Sequence, residues 1–298
     1  SMEIDRNSVL LDDNTEKQVA SHSETAPSPT PTQASSTSSY YLDAMDETEV
    51  NRLVRSSRPE LIVLLGLNDF GKSTFAGSLY QLLRSRGRIG NYIFIDSETF
   101  IGWERRVFLR RIESVGPSTT KRTIRGENAF LHLKMQEVNT KENFEVVISD
   151  SSGEVYRDYI SNNELIRRDK TIAQADKLLL FVDSTKLYSR SFRSFADDYT
   201  SLMRRLKENS KLPSHAIVYL IFNKIDLKDA KDKSRTDHEE TIKKIVQDAF
   251  GGQEIIDEYL DSKSLDNNQH LEDFLAMLLA PREIQQDETV IDWVNNGI

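Results

Sequence analysis

Residues Gly66–Ser73 read GLNDFGKS, directly after the apolar run Leu61–Leu65 and directly before a segment of helical character from Lys72 to about Arg84. The pattern is G-x-x-x-x-G-K-[S/T]. Its glycines let the backbone wrap a phosphate, and N–H groups at a helix N-terminus point inward at the anion. In such a loop Gly66, Asn68, Asp69, Phe70, Gly71 and Thr74 surround the phosphates. Lys72 reaches the β- and γ-phosphates, and the Ser73 hydroxyl ligates Mg2+. The pattern alone can arise by chance. A buried strand before it and a helix after it supply the context it requires, and together they predict an α/β fold.

The rest of the chain fits that unit. Tyr92–Ile95 reads as a short strand and Glu98–Glu113 as a helix. Ala129–Met135 alternates like a half-exposed strand, while Phe144–Ser149, Leu178–Val182 and Ala216–Phe222 are more continuously apolar. Helical patterns near 191–208, 238–248 and 268–279 separate or follow them. Strand–helix alternation with near-continuous apolar strands predicts a mainly parallel sheet with helices on both faces, spanning residues 60–281. Leu42, Met45, Val50, Leu53 and Val54 recur at helical spacing, so residues 41–58 read as an amphipathic helix ending before Pro59. Residues 1–40 read as a flexible tail: positions 21–39 hold 11 Ser/Thr and 3 Pro and nothing apolar larger than Ala. In 282–298, Val290, Ile291, Trp293, Val294 and Ile298 follow an acidic stretch. They read as a segment that docks back onto the domain or grips a partner.

Two further motifs narrow the chemistry. NKID, Asn223–Asp226, ends the run Ala216–Phe222. A carboxylate at Asp226 accepts hydrogen bonds from guanine N1–H and the exocyclic amino group. Adenine offers no matching donor pair, and a buried carboxylate left unpaired is penalised. Asn223 ties the base-reading loop to the phosphate loop, and the Lys224 stem covers the base plane. DSSG, Asp150–Gly153, ends Phe144–Ser149; Asp150 would hold Mg2+ through a water and the Gly153 N–H would meet the γ-phosphate.

Through GLNDFGKS, DSSG and NKID the sequence resembles P-loop GTPases of the translation-factor and Ras-related class. That resemblance implies GTP/GDP and Mg2+ as ligands, and a switch threonine that senses the γ-phosphate through the metal. Thr119, Thr120 and Thr123 all precede the Ala129–Met135 strand; Thr123 has the best spacing and a following Ile. It also implies a last base-contacting loop of S-A-K type, for which Ser262–Lys263–Ser264 is the nearest match. Where the class places a water-orienting Gln, this chain has Glu154. An ionised carboxylate cannot donate to the transition-state oxygens as an amide does, so slow turnover is expected. The alternative is that Glu154 simply caps the following helix.

Between the phosphate loop and DSSG lies an Arg-rich helical insert, residues 84–125, with 10 basic and 4 acidic residues. Within SETFIGWERRVFLRRIES, residues 97–114, Trp103, Val107 and Ile112 share one face, with Phe108 nearby. Arg105, Arg106, Arg110 and Arg111 cluster around the polar side. The segment leads to the first switch, so Arg122 or Arg125 would reach the γ-phosphate as a finger supplied in cis. Alternatively the patch docks an acidic partner.

These longer strings, with TTKRT before FLHL, DSSGE and ADKLLLFVDSTKL at 175–187, resemble the double-GTPase proteins of bacterial conflict, or anti-phage, systems. The resemblance spans roughly residues 60–230. It implies a GTP-dependent regulator acting on partner proteins, a second GTPase or defence-system proteins among them.

Composition bounds the rest. The 298 residues carry a net charge of −9 and no cysteine, which excludes disulfides, thiolate metal sites and a cysteine nucleophile. The longest apolar runs are far short of the roughly 20 residues of a membrane span, and no signal-type run is present, so a cytoplasmic protein is expected. Net acidity argues against general nucleic-acid binding. Three functions remain open: a GTP-hydrolysing switch, a guanine-nucleotide-bound scaffold that does not turn over, and an ATP-dependent P-loop kinase in which NKID is coincidental.

Overall fold

The computed structural model describes residues 43–113, 129–227 and 233–282. Its centre is set by three strands whose side chains are buried on both faces. These are β1 (Glu60–Leu65), β6 (Lys177–Asp183) and β7 (Ile217–Asn223). Near-continuous Leu, Ile, Val and Phe in these runs is the composition of parallel strands covered by helices on both sides.

Around them lie β5 (Asn143–Asp150) and β8 (Glu254–Leu260), giving five mutually parallel strands in the order β5-β1-β6-β7-β8. Beyond β5 the sheet turns antiparallel through β4 (Phe130–Glu137), β3 (Tyr92–Asp96) and the two-residue β2 (Arg88–Ile89). The sheet is therefore mainly parallel, as the apolar runs predict, with an antiparallel edge. Of that edge, β2 is too short for periodicity to reveal.

On one face α2 (Lys72–Arg86) packs beside α8 (Gln269–Leu279), with the Phe75 and Phe274 rings 6.1 Å apart. Phe274 in turn meets Tyr219 of β7 at 5.7 Å. A second layer comprises α4 (Gly153–Ser161), α5 (Asn163–Arg168), α6 (Phe192–Asn209) and α7 (Lys233–Phe250). Arg157 of α4 pairs with Asp198 of α6 at 3.9 Å, and Lys207 of α6 donates to the Asp248 carbonyl of α7 at 2.6 Å.

The amphipathic segment near residue 50 forms α1 (Glu47–Ser57), started by an Asp46/Glu49 capping box and burying Val50, Leu53 and Val54. The insert's helix is α3 (Phe100–Glu113). Its Trp103 is fully buried, stacks on Tyr80 of α2 at 5.4 Å and donates Nε1–H to the His132 carbonyl at 2.9 Å.

One expectation for α3 needs correcting. Arg106 does not belong to the polar side; it is 6% exposed and lies in the interior. It stands three residues after Trp103 and one before Val107, which places it at the margin of the buried stripe. Arg105 does lie outside, paired with Asp43 at 2.5 Å, while Arg84 pairs with Glu104 at 2.7 Å and Arg86 with Glu272. Arg84, Arg86 and Arg105 are thus already countered by acidic neighbours.

The register places one set of strand ends together. Leu64 stands opposite Asp150, Leu65 opposite Leu180, Asp183 opposite Asn223, and Asn223 opposite Leu260. The carboxyl ends of all five parallel strands therefore open onto one rim, the edge at which α/β sheets bind ligands.

Candidate nucleotide site

The loop after β1 enters that rim and turns into α2. Gly71 has φ 89°, and a Cβ there would lie 2.2 Å from Asn223 Nδ2, so only glycine fits. Asp69 also takes the left-handed conformation, at φ 64°, and points outward. Gly71 is the N-cap of α2 and supplies no side-chain cap, which leaves the first-turn N–H groups facing the loop. Phe70 is buried against the Phe195 ring at 5.6 Å, and Thr74 is buried in the first turn of α2.

Lys72 is buried and folds back on its own loop, donating to the Gly66 carbonyl at 2.7 Å and the Leu67 carbonyl at 3.2 Å. Burial lowers its ammonium to about 8, against the opposing pull of Asp150 and Asp69. Its Nζ also lies 5.8 Å from the centre of the Tyr156 ring. Tyr156, which sequence patterning did not single out, donates its hydroxyl to the Leu64 carbonyl at 2.9 Å. It braces α4 against the strand that carries the loop.

Asp150 is fully buried at the end of β5. Its Oδ1 accepts from the Ser73 hydroxyl at 3.3 Å, and its Oδ2 accepts from Arg106 Nε at 3.1 Å. A hydroxyl and a carboxylate oxygen so close form the hard-oxygen donor set that Mg2+ takes together with phosphates and water. Gly153 opens α4 against the phosphate loop, where a Cβ would meet Asn68 N at 2.4 Å. Glu154 is half-buried in the first turn of α4, its N–H bonded to the Ser152 cap at 3.2 Å.

The NKID loop closes the other side. Asn223 Nδ2 donates to the Phe70 carbonyl at 3.0 Å, and its Oδ1 accepts from the Ser262 hydroxyl at 2.6 Å. One buried side chain thereby joins the phosphate loop, β7 and the loop after β8. Ser262 is further held by the Ser78 hydroxyl of α2, which donates to its carbonyl. Lys263 is exposed, its N–H bonded to Asp261 at 3.1 Å. Lys224, at φ 60°, reaches the Asp69 carbonyl at 2.5 Å and Asp183 Oδ2 at 2.8 Å. Asp183 is a second residue that motif reading missed; buried at the end of β6, it anchors that lysine. Asp226 sits in a single 3-10 turn, Ile225–Leu227, and is exposed rather than buried.

Residues 60–280 match the profile of the Double-GTPase 2 family. The chain belongs to that family. Some solved structures are similar to the chain at low identity. Translation elongation factor SelB from Methanococcus maripaludis, in complex with the GTP analogue GppNHp, is 14% identical with a TM-score of 0.42. The match covers 76% of this chain and 35% of that one, so the double GTPase spans little more than a third of the elongation factor's length. Toc33 from Arabidopsis thaliana, in complex with Mg2+ and GMPPNP, is 11% identical with a TM-score of 0.43, covering 78% of this chain and 86% of its own. The Arl6 small GTPase from Trypanosoma brucei is 13% identical with a TM-score of 0.35, covering 74% and 96%. No curated protein matches the sequence significantly.

The structure brings Gly66 to Thr74, Asp150, Gly153, Glu154, Asn223, Lys224, Asp226, Ser262 and Lys263 to one rim. Thr123, Arg122, Thr119, Thr120 and Arg125 lie outside the described residues, as do the tail at 1–40 and residues 283–298. Among the described residues no helix is long and apolar enough to cross a membrane, and no three His, Asp or Glu side chains gather into a metal-holding group.

Proposed function

We propose that this double GTPase is a Mg2+-dependent guanine-nucleotide switch that hydrolyses GTP slowly. The observation that carries this reading is the Asn223 bridge, which makes the phosphate loop and the two base-side loops one rim. In this reading Asp226 accepts from guanine N1–H and the amino group, the Lys224 stem covers one base face, and Ser262 and Lys263 line the other side. Lys72 leaves the Gly66 and Leu67 carbonyls for the β- and γ-phosphates, whose negative charge opposes the lowering by burial. Ser73 and Asp150 hold the metal, and bound there Mg2+ would neutralise charge between the phosphates.

From sequence we assign Thr123 to the switch and Arg122 to the γ-phosphate. The family resemblance extends the proposal to regulation of partner proteins in the cytoplasm, within bacterial anti-phage defence. Binding of GTP and ATP in competition with a fluorescent GDP tests the base assignment. Asp226→Asn is expected to weaken GTP by about 100-fold or more and to favour xanthosine triphosphate. Equal displacement by ATP would overturn it in favour of a kinase.

One observation favours a second reading, a guanine-nucleotide-bound scaffold without turnover. Glu154 presents a carboxylate in the first turn of α4, where the helix N-terminus stabilises its negative charge and where it offers no donor to a γ-phosphate oxygen. Single-turnover release of phosphate, with Glu154→Gln and Glu154→Ala alongside, separates the two. Slow release that both variants lower equally assigns the carboxylate a role in the reaction. No release from the unmutated protein, alone or with its partners, leaves the scaffold.

A further inference from the structure

Asp150 touches both Ser73 and a buried cation, and its two oxygens are divided between them. Oδ1 faces the Ser73 hydroxyl at 3.3 Å; Oδ2 is held by Arg106 Nε at 3.1 Å. Arg106 comes from a distant part of the chain, from α3, and its Nη1 donates back to the Gly102 carbonyl one turn earlier at 3.1 Å. The pair is almost dry, with side-chain exposures of 7% and 1%. In such a place a carboxylate shared between two cations binds each more weakly than it would bind either alone, because they repel across a low-dielectric gap.

The guanidinium also has mechanical reach. Arg106 sits where α3 comes close to α2: a Cβ at Gly77 would be 2.8 Å from the Arg106 carbonyl. The adjacent turn carries Trp103, stacked on Tyr80. A change in the Arg106–Asp150 pair therefore bears directly on how α3 is seated.

We propose that Arg106 is a positioning residue through which the nucleotide's metal and the docking of α3 compete for Asp150. This inference rests on the reading above that Asp150 faces Mg2+. A cation at Oδ1 weakens the hold of Oδ2 on Arg106 and loosens α3. By reciprocity, a seated α3 weakens the metal. The Arg-rich insert then reports nucleotide state through one ion pair, with no need for its exposed arginines, several of which are already paired.

The test is Mg2+ titration of the full chain with bound GppNHp, following Mg2+ affinity by calorimetry and α3 by amide hydrogen exchange. Trp103 emission, read in a Trp293→Phe background, follows the same helix. In the unmutated protein Mg2+ is expected to lower exchange protection in α3 and to shift Trp103 emission. Arg106→Met is expected to tighten Mg2+ by at least about fivefold and to abolish the emission response. A purely structural arginine would lower the unfolding midpoint and leave Mg2+ affinity unchanged.

Mg2+ affinity that stays the same or falls in Arg106→Met overturns the inference, as does an α3 indifferent to Mg2+ in the unmutated protein. Should Arg106→Met fail to fold, Arg106→Gln removes the charge while keeping a polar donor, and the same tightening is expected. Failure of the unmutated protein to bind any guanine nucleotide overturns the proposed function and this inference together. Tight GppNHp binding with no Mg2+ effect on α3 overturns this inference alone.

Discussion

Gly71 is the residue on which the rim turns. Its φ of 89° would cost an alanine about 1–2 kcal/mol, and the added Cβ would stand 2.2 Å from Asn223 Nδ2. Gly87, the C-cap of α2, has φ 70° but nothing within 4 Å of a built Cβ. The two positions share the backbone strain and differ only in the collision. Gly87→Ala is expected to cost about 1 kcal/mol of stability and leave nucleotide affinity unchanged. Gly71→Ala is expected to displace Asn223 from the Phe70 carbonyl and weaken GDP by at least about tenfold, the value of a lost buried hydrogen bond. Thermal melts with GDP titrations check both, and equal GDP affinity in the two variants would remove Asn223 from its role. At this scale much of the rim was legible, because a phosphate loop needs its glycines at fixed offsets and Asn223 has one geometry that reaches back. Tyr156 and Asp183 were not, since each acts through a contact that sequence distance conceals. Asp226 is exposed, because the burial its motif implies depends on a base that covers it.

At the scale of elements, α3 shows where periodicity helps and where it misleads. Trp103 and Val107 were legible as its buried face, since apolar residues four apart share a side. Polarity assigns Arg106 to the polar face, although its position borders the stripe. Burial of an arginine depends on a partner, and Asp150 lies 44 residues away in another strand. The fit of α3 against α2 is set by Gly77. An alanine in mid-helix gains about 1 kcal/mol of helix propensity. Against that, the new Cβ would meet the Arg106 carbonyl oxygen at 2.8 Å and its carbon at 3.0 Å, backbone atoms that cannot rotate aside. Overpacking of this kind costs about 1–3 kcal/mol, so the clash wins. Gly77→Ala is expected to lose up to roughly 2 kcal/mol in urea unfolding and to red-shift Trp103 emission as α3 lifts. An unchanged or raised stability would mean that α3 is not seated on Gly77.

Across the whole molecule the two ends of the parallel sheet have opposite tasks. The carboxyl ends carry the polar groups of the proposed nucleotide rim, whereas the amino ends gather charges that satisfy one another. That division follows from parallel topology, which the apolar runs made legible, but the partners at the amino ends come from separate strands and could not be paired by eye. There Lys177 at the start of β6 caps the C-terminus of α8, donating to the Leu278 and Ala280 carbonyls at 2.7 and 2.8 Å. It also pairs with Glu60 of β1 at 2.6 Å. Beside them Asp176 accepts from the Leu61 N–H at 2.8 Å and pairs with His215 at 2.8 Å and Arg282 at 3.5 Å. Burial pushes the Glu60 carboxyl above its usual range, with Lys177 pulling the other way. Between the unfolded value and that raised folded value the native state holds more protons than the unfolded chain, so this group's contribution to stability falls as pH rises. Glu60→Gln cannot titrate, so its stability relative to the unmutated protein is expected to improve from about pH 5 to about pH 7. Lys177→Met strips two helix-end carbonyls of their donor and leaves buried Glu60 without its ion-pair partner, an expected loss of about 3–5 kcal/mol at neutral pH. Adding Glu60→Gln to Lys177→Met removes the orphaned charge but not the lost cap, so only part of that loss should return. Denaturant titrations of the three variants at both pH values measure this. A double variant no more stable than Lys177→Met would place the whole cost in the α8 cap and none in the ion pair.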